Sequence, residues 1–130
     1  MILTAQKLYG EVFTPFLLVE AILNRLPLEI WLNPCLKWCD PSFGQGNFLF
    51  PTYNRLMESL KSIIPDQNER KRHILENMIY GCELQKKNHQ ATVFLLDPER
   101  KHILNLACKD SLSFDFWNVK FDLVIGNPPY

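Results

Sequence analysis

Four short apolar runs, Leu36–Cys39, Ile79–Leu84, Ile103–Cys108 and Phe121–Ile125, each stop on turn-forming or charged residues. Runs of this length, bounded in this way, read as buried strands, and Phe121–Ile125 reads as buried on both faces. Between them the spacing turns helical. Residues 16–25 place apolar side chains at helical spacing directly behind Thr14-Pro15, which predicts Thr14 as N-cap and Pro15 in the first helical position. The pattern resumes from Asn47 to Ile64, where Pro65-Asp66 ends it, and again over Gln85–Leu96. The charged stretch Asn68–His73 reads as a solvated helix face. The distance from Asn47 to Glu83 is long for one crossover and predicts an additional helix there. Strands alternating with helices form parallel βαβ units, so the expected fold class is α/β, a doubly wound parallel sheet.

Composition narrows the function. At 130 residues and 47% hydrophobic, the chain fits one globular domain that can bury a core without disulfides or a structural metal. Lys plus Arg and Asp plus Glu both total 14, giving no net charge. A domain that grips a phosphate backbone by itself carries a basic excess, so any nucleic-acid grip is expected outside this chain. Cys35, Cys39, Cys82 and Cys108 form no CxxC pair, and the last three lie in apolar runs. Buried free thiols in a reducing cytoplasm are therefore expected. His73, His89 and His102 share no ligand spacing with the cysteines, so no metal site is expected. No run approaches the roughly 18 apolar residues of a membrane span, and no basic-then-apolar leader opens the chain.

In a doubly wound sheet, ligands bind beyond the C-terminal ends of the strands. The first run is followed by Asp40-Pro41-Ser42-Phe43-Gly44-Gln45-Gly46-Asn47. Gly44 and Gly46 permit a tight turn and close approach of a ligand to the backbone, and Asp40 can hold a cationic group. Glu83 ends the second run, where nucleotide sites commonly bind a ribose diol. Lys109-Asp110 follows the third and Asn127-Pro128-Pro129-Tyr130 the fourth. Each element alone is weak; four in order at neighbouring strand ends are hard to produce by accident. A nicotinamide site is disfavoured, because Gly-Gln-Gly-Asn-Phe-Leu lacks the third glycine of that fingerprint.

Asp-Pro-Ser-Phe-Gly-Gln-Gly-Asn-Phe-Leu followed by Asn-Pro-Pro-Tyr resembles the cofactor and catalytic motifs of amino-methyltransferases that use S-adenosylmethionine. Gly-Glu-Val-Phe-Thr-Pro at Gly10–Pro15 resembles the extra N-terminal cofactor motif of one class of adenine-N6 DNA methyltransferases, of restriction-modification type. The order of motifs matches that class across nearly the whole chain. The resemblance implies a Rossmann-like doubly wound sheet truncated after its fourth strand, with residues 1–130 as the cofactor-binding half of the catalytic domain. It implies that Thr14 and Asp40, Pro41, Ser42 and Phe43 cradle the methionine moiety, with Gly44 and Gly46 shaping the loop. Glu83 would take the ribose hydroxyls, and Asp110 the adenine amino group of the cofactor. Asn127, Pro128, Pro129 and Tyr130 would form the catalytic loop, with Pro129 also beside the cofactor.

The chemistry suits that loop. The exocyclic amine of adenine is a poor nucleophile, and two acceptors aimed at its hydrogens, the Asn127 side chain and the Pro128 carbonyl, favour a pyramidal nitrogen. Two prolines stiffen the loop, and Tyr130 offers a ring face to a flipped base. The same loop serves enzymes that methylate a glutamine amide in protein, a guanine amine in ribosomal RNA or cytosine N4; the N-terminal motif favours DNA adenine. A non-catalytic remnant that keeps cofactor affinity is a further alternative. The implied partner is double-stranded DNA, through regions beyond this chain. Family members continue past the loop, so Phe121–Ile125 is expected to be left as an open apolar edge, prone to self-association or to pairing with a complementary fragment.

Overall fold

The computed structural model describes residues 14–127, so most of the Gly10–Pro15 motif, and Pro128, Pro129 and Tyr130, lie outside the described residues. The elements are α1 (Phe16–Leu23), α2 (Leu28–Trp31), β1 (Trp38–Asp40), α3 (Leu49–Ser59) and α4 (Gln67–His73), which runs into a π-helical turn (Ile74–Met78). Next come β2 (Ile79–Cys82), α5 (Lys86–Leu96), β3 (Asn105–Ala107), a 3₁₀ turn (Phe116–Asn118) and β4 (Leu123–Val124). The additional helix predicted between Asn47 and Glu83 is α4. Asp66 caps it, accepting from the Glu69 N–H at 3.2 Å, so the Pro65-Asp66 pair that closes one helical stretch opens the next.

The four strands form one parallel sheet in the order β3-β2-β1-β4. Side chains alternate across it. Trp38, Ile79, Leu106 and Leu123 share one face, on which α1, α2, α3, α5 and the π-helical turn pack through Val19, Leu23, Trp31, Leu49, Leu56, Met78 and Leu96. Trp31 and Trp38 meet at 4.7 Å between ring centroids in this core. The opposite face carries Cys39, Tyr80 and Val124. There an aromatic segment packs in place of a helix, with Phe121 at 5.2 Å and Trp117 at 5.7 Å from the Tyr80 ring.

Four expectations need correction. The cap of α1 is Pro15 rather than Thr14: its extended backbone and carbonyl, which accepts from Leu18 and Val19, place the first turn one residue later. β4 is not buried on both faces. Leu123 faces the core, but Val124 points to the thinly covered face of the end strand and is 66% exposed. Cys39 and Cys82 are buried, whereas Cys108 falls past the last paired residue of β3 and is exposed, as is Cys35.

The fourth correction concerns the charged helix. Asn68, Glu69 and Arg72 face solvent, but Arg70 is only 5% exposed. Its Nη1 donates to the carbonyls of Ile64 (3.0 Å) and Pro65 (3.2 Å), which the α3–α4 turn leaves without helical partners. Replacing Arg70 by alanine strands both carbonyls, and urea denaturation is expected to show a loss of about 1.5–3 kcal/mol. An unchanged midpoint would show that water serves those carbonyls equally well.

Candidate functional site

The loop after β1 is tied down at both ends. The Phe43 N–H donates to the Cys82 carbonyl (3.1 Å), pulling the loop across the end of β2, and Gly46 N–H to Phe43 carbonyl (2.8 Å) closes the turn. Gly44 (φ 56°) and Gly46 (φ 88°) occupy left-handed conformations that side-chain-bearing residues adopt at a cost. The Phe43 ring is buried against Gly81, where a Cβ would come within 2.6 Å of it. Phe43 is thus the loop's anchor in the core.

Asp40, the last residue of β1, is 1% exposed. Its Oδ1 accepts from the Ser42 N–H (3.0 Å), and no salt bridge reaches it among the described residues. Burial pushes its carboxyl up to about 7; the Ser42 N–H pulls the other way, and the Glu83 charge pushes further up. The Ser42 hydroxyl is itself buried without a partner among the described residues. Glu83 comes directly after β2. Its Oε1 accepts from Gly44 N–H (3.1 Å), and its Oε2 from Gln85 N–H (2.8 Å) and the Asn88 amide (3.5 Å).

The other strand ends line up beside these acids. Glu83 N–H to Ala107 carbonyl (2.9 Å) and Lys109 N–H to Glu83 carbonyl (3.1 Å) continue the β2–β3 pairing and bring Asp110 to the neighbouring end. Asp110 is exposed, and its Oδ1 accepts from Leu112 N–H (3.0 Å). Ile125 N–H to Cys39 carbonyl (2.9 Å) continues β4 along β1. Gly126 then lies so close to Asp40 that a Cβ there would meet the carboxylate at 2.4 Å. Asn127 is therefore delivered next to Asp40. Thr14 sits on the far side of the loop, its carbonyl accepting from the Asn47 amide (3.3 Å).

Asp40, Pro41, Ser42, Gly44, Gly46, Glu83 and Asn127 are thus gathered on one end of the sheet, with Asp110 at the next strand and Thr14 at the flank. Sequence patterns did not single out Gly81, Gly126, Asn88 or Thr92. Gly81 had a signal, as the glycine inside an apolar strand run. The others become visible only when the chain is folded. A cleft of about 950 Å³ lies elsewhere, between α1, α2 and α3. Trp31, Phe50 and Arg55 line it, and it touches the loop through Gln45, Gly46 and Asn47 without reaching Asp40, Glu83 or Asp110. We place the site at the acids, because volume alone supplies no chemistry and a strand-end surface is open rather than enclosed. Among the described residues there is no cluster of three or more His, Cys, Asp or Glu side chains able to hold a metal, and no helix long and apolar enough to cross a membrane.

A parallel sheet with a glycine-turned loop after β1 and acids at the next strand ends is a Rossmann-like α/β arrangement. The modification subunit of a putative type I restriction enzyme from Vibrio vulnificus YJ016 shares this fold, with a TM-score of 0.59 and 20% identity over 88% of this chain and 23% of that one. The chain belongs to the N-6 DNA methylase family, which it matches over residues 3–130. It is 33% identical to the type II methyltransferase M.BstVI of Geobacillus stearothermophilus, over 95% of this chain and 25% of that protein. It is 39% identical to an uncharacterized adenine-specific methylase of Mycoplasma pneumoniae, over 58% of this chain and 19% of that one. The chain thus spans a quarter or less of the length of these relatives.

Proposed function

We propose that this chain supplies the S-adenosylmethionine site and the catalytic loop of an adenine-specific DNA methyltransferase. The observation that carries the reading is the buried Asp40 carboxyl, which no salt bridge reaches among the described residues, with Glu83, Asp110 and Asn127 at the neighbouring strand ends. The residues fit the cofactor. Its ammonium group would give Asp40 a counter-ion that no described residue supplies, and the Ser42 hydroxyl, buried without a partner among the described residues, lies in the same turn. A carboxylate has about four acceptor positions, so Glu83 keeps capacity for a ribose hydroxyl beyond the donors it already serves. Asp110, exposed at the end of β3, would accept from the adenine amino group. Thr14, Pro41, Phe43, Gly44 and Gly46 would shape the cradle, and Pro129 would flank it.

When bound, the cofactor supplies an electrophilic methyl on a sulfonium. The chain's own part is to prepare the amine that receives it. The Asn127 oxygen and the Pro128 carbonyl accept from the two amine hydrogens and draw the nitrogen lone pair out of ring conjugation. The stiff Pro128-Pro129 pair holds those acceptors in place beforehand, and Tyr130 stacks on the flipped base. No strong base is required, because the amine proton becomes acidic as the new bond forms. The N-6 DNA methylase family and a relative named as adenine-specific favour this target over a protein amide or an RNA guanine.

Double-stranded DNA would be held by regions beyond these residues, so this chain alone is expected to transfer no measurable methyl to duplex DNA. Tritiated-methyl incorporation by the purified chain would contradict that. Among the described residues β4 is an end strand of the sheet, and its edge is proposed to pair with a complementary fragment or a second copy. Sedimentation should show reversible association, and a single monomeric species across the concentration series would count against it. The binding reading is tested by calorimetric titration with S-adenosylmethionine beside an Asp40→Ala, Glu83→Ala double variant. Micromolar binding lost in the variant supports it, and a folded chain that does not bind refutes it.

A further inference from the structure

The face that α5 turns toward the strand ends carries two buried polar side chains one helical turn apart, Asn88 (4% exposed) and Thr92 (0%). The Thr92 hydroxyl donates to the Gly44 carbonyl at 3.0 Å. The N–H of the same glycine donates to Glu83 Oε1, and the Asn88 amide approaches Glu83 Oε2. Both ends of the Gly44 residue are thus held, its N–H by the acid and its carbonyl by α5. The fit is close on the next glycine too, where a Cβ on Gly46 would meet the Thr92 methyl at 3.1 Å and its hydroxyl at 3.4 Å.

We propose that Thr92 is a positioning residue for the cofactor loop, locking Gly44 in its left-handed turn so that the loop and the Glu83 carboxylate form one preorganised unit. The inference rests on the cofactor reading above, and adds to it a residue that lies on a helix outside the motifs. Burial makes the hydroxyl effective. Thr92 is fully buried and Gly44 partly so, so losing the donor removes the protein partner of the Gly44 carbonyl and leaves the turn freer to relax. Relaxation of the turn also releases the Gly44 N–H from Glu83, which then no longer presents its remaining acceptor positions in a fixed direction. A side chain that merely filled space would work equally well as valine.

The test uses the full chain with Thr92→Val, which keeps the shape and removes the donor, and Thr92→Ser, which keeps the donor. Two readouts are taken below the melting temperature of each variant: the dissociation constant for S-adenosylmethionine, and amide hydrogen exchange at Gly44. Thr92→Val is expected to weaken binding about threefold to tenfold and to speed Gly44 exchange by a similar factor, with Thr92→Ser restoring both. Equal binding and equal exchange in Thr92→Val would overturn the proposal. If the unsubstituted chain fails to bind, the cofactor reading is what falls, and Gly44 exchange still decides whether Thr92 holds the turn.

Discussion

Asp40→Asn is expected to make the folded chain more stable above neutral pH and, at the same time, to weaken S-adenosylmethionine binding by about 100-fold. The two effects have one cause. Burial raises the Asp40 carboxyl from 3.8 to about 7 in the folded chain, where no described residue forms a salt bridge to it. A raised value means that the folded state holds a proton which the unfolded state has already released. The associated stability is present in full below the unfolded value and is lost as pH rises through the folded value. A carboxyl raised from 3.8 to about 7 corresponds to on the order of 4 kcal/mol. Asparagine keeps an acceptor for the Ser42 N–H and never ionises. The stability gap in favour of the variant should therefore be small near about pH 4 and widen up to about pH 8. An ammonium ligand reverses the logic, since it needs the carboxylate, so binding by the unsubstituted chain should tighten through neutrality and release a proton. Thermal melts across this range, with titrations in buffers of different ionisation enthalpy, check both halves. A gap that does not change with pH would show that Asp40 is already ionised in the folded chain.

Gly81→Val is expected to destabilise the chain by about 3 kcal/mol, the upper end of overpacking, and to remove cofactor binding with it. Gly81 sits in β2 between β1 and β3. A Cβ there would meet Phe43 at 2.6 Å, the Asp40 carbonyl at 3.0 Å and Leu49 at 3.2 Å. The Asp40 carbonyl belongs to a paired strand and cannot retreat, so Phe43 must leave its seat. Phe43 anchors the loop that shapes the site, and the loop must move with it. The coupling is testable with Gly81→Ala and Phe43→Ala, singly and together. Shrinking the ring makes room for the new methyl, so the double variant should cost less than the sum of the two. Strict additivity in urea unfolding would separate Gly81 from the loop.

Much of this was legible before folding. The strands and α5 were placed within a few residues, because short apolar runs between helical stretches leave little choice of topology. The acids were legible for the same reason: in a parallel sheet, the residues immediately C-terminal to every strand lie at one end. The failures are tertiary. Arg70 looks like any other residue of a charged helix until the α3–α4 turn presents two carbonyls to it. Val124 belongs to an apolar run, yet its face of the sheet carries only an aromatic segment that packs on Tyr80 and leaves Val124 exposed, with Phe116, Trp117 and Asn118 all at positive φ. No local pattern announces such a turn. Phe43 is expected in the cofactor cradle, and no sequence pattern signals that its ring also anchors the loop in the core. Thr92 carries no signal in the sequence, because its role depends on α5 lying across the loop.

We propose a location: the cofactor would bind at the strand ends and not in the cleft between α1, α2 and α3. Backbone amide NMR of the chain during titration with S-adenosylmethionine tests it most directly. Binding at the strand ends predicts that the resonances of Ser42, Gly44, Gly46, Glu83 and Asp110 shift together along one saturable curve. Shifts confined to Glu20, Trp31, Arg55 and Glu58 would place the ligand in the cleft and contradict it.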